Sequence, residues 1–83
     1  MPIRVKVLYF GQTRDASGRG EEEFSLADRA SLQALLALAK TKHGKLEKFE
    51  ESMQIALNEE IAKGDELLKD GDVVALIPPV AGG

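Results

Sequence analysis

At 83 residues the chain has room for one small domain. A domain of that size buries only about 60% of the surface its unfolded chain exposes, so its core must be modest. The formal net charge of −3 argues against a nucleic-acid partner, which would favour a basic face, and the absence of cysteine excludes disulfides and thiolate metal sites.

Arg4 and Lys6 interrupt the first apolar run and Gly11-Gln12 ends it, so no signal-peptide core fits there. No run approaches the ~20 apolar residues of a membrane span, and a soluble cytoplasmic domain is expected. Ile3 to Phe10 alternates and predicts a first strand. Ile3, Val5, Val7 and Tyr9 form one apolar face, which should point to the core. Arg4, Lys6, Leu8 and Phe10 form the other, which starts charged and ends apolar. Either a loop covers Leu8 and Phe10, or they belong to a partner surface.

Gly11 to Gly20 reads as a polar hairpin connection. Gly18-Arg19-Gly20 is no dinucleotide fingerprint, because no third glycine or helix follows. Glu21 to Leu26 predicts a short second strand with Phe24 and Leu26 on one side and a charged start that suits a sheet edge. The acidic residues, Glu21-Glu22-Glu23 among them, read as solvated surface rather than a docking site for a basic partner. Ala27 to Ala30 is a connection. Ser31 fits an N-cap, and Leu32, Leu35, Leu36, Ala39 and His43 recur at helical spacing. Lys40, Lys42 and His43 suit the negative end of that helix, and Gly44 suits the left-handed position after it. His43, the single histidine, reads as a capping or surface residue with no partners for catalysis or metal binding.

Leu46 and Phe49 should point inward from a short turn within Lys45 to Ser52. Met53, Ile55 and Leu57 predict core positions on a third strand, Asn58-Glu59-Glu60 a turn, and Ile61-Ala62 a very short return strand. Leu67 and Leu68 should close the bottom of the core. Val73 to Ile77 is a continuous β-branched run that suits a central strand, with Val74 and Leu76 inward and Val73, Ala75 and Ile77 on the opposite face. The whole order predicts an α+β roll.

Pro78-Pro79 removes two backbone donors, so sheet pairing must stop there and the chain must leave extended. Val80-Ala81-Gly82-Gly83 then runs out with shrinking side chains. Two final glycines arise by chance in roughly 0.5% of chains, and a frayed end is the plain alternative. A rod of small residues could instead enter a channel too narrow for any Cβ and deliver a terminal carboxylate. The division expected is a domain over 1–77 and an extended tail over 78–83. No nucleophile–base pair, phosphate loop or metal cluster accompanies it, so the chain reads as a carrier or substrate rather than as an enzyme with a catalytic site of its own.

The PPVAGG ending, the opening VKVLYFGQTRD and the segments ALNEE and LKDGDVVALIPP together resemble the MoaD-type small subunit of molybdopterin synthase, a ubiquitin-like sulfur carrier. That resemblance covers nearly the whole chain. It implies a β-grasp roll, a mixed sheet of four to five strands crossed by one main helix, with the first and last strands parallel at its centre. It implies that an E1-like, MoeB-like enzyme uses ATP to adenylate the Gly83 carboxylate, which becomes a thiocarboxylate. A MoaE-like large subunit, in a heterotetramer, would take its sulfur for a pterin precursor of the molybdenum cofactor. Gly83 would carry the sulfur, Gly82 would give clearance, and Pro78, Pro79, Val80 and Ala81 would set the reach. Leu8, Phe10 and Ile77 would meet beside the base of the tail as a docking strip, with Val80 extending it. The chain itself would bind no cofactor, metal, nucleic acid or membrane. A thiamin-type carrier, a ubiquitin-like modifier joined through Gly83 to lysine, and a plain binding module with an idle tail are the alternatives.

Overall fold

The structure, a computed structural model, describes residues 1–64 and 66–78. Five strands form one mixed sheet in the order β2-β1-β5-β3-β4, where β1 is Ile3–Tyr9, β2 Glu21–Leu26, β3 Gln54–Leu57, β4 Glu60–Ile61 and β5 Val73–Ile77. β1 and β5 run parallel at the centre, in the register Lys6 to Val73 through Tyr9 to Leu76. The turn before β5 sets that register. Asp70 accepts from the Arg4 amide at 2.8 Å, Gly71 donates to the Arg4 carbonyl at 2.8 Å, and the Lys6 amide donates to the Asp72 carbonyl at 3.0 Å. On the other flank, the Asn58 side chain accepts from the Val73 amide at 2.9 Å and donates to Asp72 at 3.0 Å.

The main helix, α2, spans Leu32–Lys42 and covers one face of the sheet. Ser31 caps it, its hydroxyl accepting from the Ala34 amide at 3.1 Å. Leu32, Leu35 and Ala39 are buried against Val5, Val7, Tyr9, Phe24, Leu26, Val74 and Leu76, and Leu46 closes the same core. Burying each such large side chain contributes about 1.5–3 kcal/mol. The predicted alternation of β1 and β5 holds: their inward residues are buried and the others more exposed.

Four local expectations are corrected. Residues 11–17 form a helix, α1 (Gly11–Ser17), within the predicted hairpin connection. It carries no apolar period, and it closes on Gly18 at φ +79, whose amide donates to the Arg14 carbonyl at 2.9 Å. Gly44 does not take a left-handed conformation; it opens a 3₁₀ turn, Gly44–Phe49, and His43 stands at the cap with φ −125. Leu68 is buried but Leu67 is exposed, because Leu67 forms an isolated bridge with Ser31 that turns its side chain outward. Met53, Ile55 and Leu57 pack only partly buried at the core margin.

A further correction, beyond these four, concerns Glu22 and His43. Glu22 shares the inward face of β2 with Phe24 and Leu26 and is buried. Its carboxylate accepts from the Tyr9 hydroxyl at 2.8 Å and from Arg19 at 3.2 Å, lies 2.7 Å from His43 Nε2, and pairs with Lys42. His43 therefore has a partner, and it meets Tyr9 edge-on at 5.8 Å between ring centroids. Burial alone would raise the Glu22 pKa; hydrogen bonds from Lys42, His43 and Tyr9 outweigh it and hold the group down at about 2. Burial and the adjoining carboxylate push the Tyr9 phenol well above its ordinary range.

A depressed carboxylate pKa contributes stability that is present above its unfolded value and lost as pH falls through its folded value. The window for Glu22 runs from its ordinary 4.5 down to about 2. Glu22→Gln should therefore lower stability at pH 7 by on the order of a few kcal/mol and flatten the acid limb of the stability profile across that window. Urea titrations of both proteins between neutral and acid pH check this. Parallel profiles would remove Glu22 as the source of the acid limb.

Candidate docking face and tail root

The sheet face away from α2 is built by the other half of the strand alternation. Leu8 lies opposite Ala75, Ala75 opposite Ala56, and Ala56 opposite Ile61, giving one apolar row across four strands. Leu8, Phe10, Ala56, Val73, Ala75 and Ile77 line a shallow groove, with Asn58, Glu59 and Ile61 at its rim. Phe10 is 49% exposed and Ile61 65% exposed. Among the described residues no loop or helix covers this groove, so the covering-loop explanation for Leu8 and Phe10 gives way to an open face. At the far end the same face turns polar: Lys6 pairs with Glu21 at 3.4 Å, and Arg4 approaches Glu23 at 4.0 Å.

Leu8, Phe10 and Ile77 do come together, as the parallel β1–β5 pairing requires. Pro78 follows directly after Ile77 at the Phe10 end of the groove. The remaining tail residues, Pro79, Val80, Ala81, Gly82 and Gly83, lie outside the described residues.

The sequence reading missed two residues at the root of the tail. Thr13 is fully buried on α1. Its hydroxyl accepts from the Phe10 amide at 2.9 Å, and its one proton lies between the carbonyls of Phe10 at 2.7 Å and Leu76 at 3.0 Å. The Phe10 amide also reaches the Leu76 carbonyl at 3.3 Å, continuing the parallel ladder one step. Gly11 has φ +52, and a Cβ added to it would meet the Pro78 ring. The available signals were Gly11, set between a strand end and a polar segment, and Thr13 two residues later; neither reveals a helix by periodicity. Among the described residues there is no cluster of His, Cys, Asp and Glu able to hold a metal ion. No helix of the described residues is long and apolar enough to cross a membrane.

A family profile described as the ThiS family matches residues 7–83. The molybdopterin synthase sulfur carrier subunit of Chlamydomonas reinhardtii is 41% identical over 83 residues, covering 98% of this chain and 100% of that protein. A putative molybdopterin converting factor subunit 1 from Pyrococcus furiosus superposes with a TM-score of 0.85 at 37% identity, covering 94% of this chain and 99% of the other. A chain in the complex of subunits 1 and 2 of the molybdopterin-converting factor from Helicobacter pylori matches with a TM-score of 0.68 at 33% identity, covering 98% of this chain and 100% of that one. The fold is the ubiquitin-like β-grasp, and the chain belongs to the ThiS family, where it stands with the molybdopterin synthase sulfur carrier subunits.

Proposed function

We propose that this protein carries sulfur on Gly83 for molybdopterin synthesis, as the small subunit of a two-subunit synthase. The observation that carries this reading is the family match, which runs through the Gly-Gly ending, joined to a relative of 41% identity that shares the full length. The open apolar face supports it, because a carrier needs a docking surface near its reactive end. A structure similar to this chain occurs in a complex of two converting-factor subunits, which supports a MoaE-like partner.

The chemistry follows from the weakness of a carboxylate as an electrophile. An E1-like, MoeB-like enzyme joins the Gly83 carboxylate to the AMP portion of ATP and releases pyrophosphate. A sulfide-level sulfur from a donor then displaces AMP, leaving a thiocarboxylate. Its ionised sulfur is a strong nucleophile at neutral pH. It attacks a carbon of the pterin precursor in the large subunit, an oxygen substituent of that carbon leaves, and water then cleaves the carbon–sulfur bond to Gly83. The precursor keeps the sulfur and Gly83 returns to a carboxylate. Gly82 gives the clearance that a narrow channel demands, and Pro78, Pro79, Val80 and Ala81 set the reach. ATP is spent at the adenylating enzyme; this chain supplies the acceptor carboxylate and the docking surface.

Deleting Gly83 should leave thermal unfolding unchanged and abolish dithiolene formation in an assay reconstituted with the large subunit and a sulfur source. Retained activity would sink the carrier reading. Appearance of lysine-linked conjugates in place of sulfur transfer would favour a protein modifier.

Phe10 tests the docking face separately. Burying one large apolar side chain contributes about 1.5–3 kcal/mol, so Phe10→Lys should weaken binding to the large subunit roughly ten- to a hundredfold by calorimetry. The isolated domain should unfold at nearly the parent temperature, since Phe10 is half exposed. Undiminished binding by the variant would move the interface elsewhere.

A further inference from the structure

The tail is rooted from behind by a segment that takes no part in lining the docking groove. Thr13 Oγ1 ties the start of α1 to the last inward residue of β5, 3.0 Å from the Leu76 carbonyl. Two residues after Leu76, just past the end of β5, the Pro78 ring occupies the space that a side chain on Gly11 would enter. A Cβ built on Gly11 would sit 3.2 Å from Pro78 Cγ, closer than side chains ordinarily pack, and φ +52 already disfavours any other residue there. Both contacts fall where the chain leaves the sheet, and both come from the first turn of a helix whose exposed side chains are Gln12, Arg14 and Asp15 and whose Ala16 packs at the core margin.

We infer that the first turn of α1, through Gly11 and Thr13, is a positioning device that sets the direction in which the chain leaves β5 and so aims Gly83. The inference rests on the sulfur-carrier reading and adds to it two residues outside the groove and the tail. The lever is long. Five residues follow Pro78, and an extended segment of that length reaches about 15 Å. A tilt of about 10° at its root would displace the far end by roughly 3 Å. Misplacing a reacting group by about 1 Å can cost on the order of a hundredfold in rate. Proline fixes its own φ, so a Pro-Pro pair in the sequence would pass an angular error along rather than absorb it. Docking affinity, in contrast, depends on the groove side chains and should change little; because Thr13 also holds the Phe10 backbone, Gly11→Ala, whose added Cβ would meet Pro78, separates aim from docking most cleanly.

The test uses the full chain as parent, Gly11→Ala, Thr13→Val and Thr13→Ser, each prepared as the thiocarboxylate by chemical ligation so that the adenylating enzyme is bypassed. Affinity for the large subunit is measured by calorimetry and sulfur transfer by single turnover, well below the unfolding temperature of every variant. Gly11→Ala and Thr13→Val should bind within about threefold of the parent yet transfer at least about tenfold more slowly, and Thr13→Ser, which keeps the hydroxyl, should recover most of the rate. Parent-like transfer by both Gly11→Ala and Thr13→Val overturns the inference, as does a loss of affinity that accounts for the whole loss of rate. No transfer by the parent itself overturns the carrier reading, and the positioning role with it.

Discussion

The parallel pairing of β1 with β5 is the constraint on which the rest of the molecule depends. It brings the two ends of the chain's sequence together in the middle of one sheet, with Leu8 beside Ala75 and Tyr9 beside Leu76. Because side chains alternate along a strand, that register divides both strands at once. Tyr9, Val74 and Leu76 go to the core, while Leu8, Ala75 and Ile77 go to the open face. A slip of one residue would bury the wrong set on both strands. The turn at Lys69–Asp72 prevents it by fixing β5 to Arg4 and Lys6 through backbone bonds and the Asp70 carboxylate. The open apolar face and the root of the tail thus share an origin: both lie at the end of the sheet where the two central strands finish side by side.

Much of this was legible from periodicity. The alternation in Ile3 to Phe10 and Val73 to Ile77 gave the faces of the central strands, and the spacing of Leu32, Leu35 and Ala39 gave α2 and its buried stripe. Ser31 was readable as a cap because its chemistry at a helix start is specific. The parallel arrangement itself was not readable from spacing; it came from the resemblance to the sulfur carriers and is what the sheet has.

What escaped the sequence depends on contacts made across long separations. Glu22 stands in a run of three glutamates that reads as surface, yet the alternation of β2 turns it inward beside Phe24. It is tolerable there because Tyr9, Arg19, Lys42 and His43 converge on it from three other segments. The same convergence gives His43 its role, holding the end of α2 to the sheet. Gly11 and Thr13 were hidden for a related reason. Their partners are Pro78 and Leu76, more than sixty positions away, and a seven-residue helix whose single apolar side chain is Ala16 offers no apolar period to announce itself.

The central claim is that the Gly83 carboxylate carries sulfur. The most direct measurement is the intact mass of the protein purified from its own cells while they make molybdopterin, read with and without alkylation of the terminus. The account predicts a population in which one oxygen at Gly83 is replaced by sulfur, and that this population disappears on incubation with the large subunit and the pterin precursor. A terminus found solely as the free carboxylate, or joined to lysine, in cells actively producing molybdopterin would contradict it.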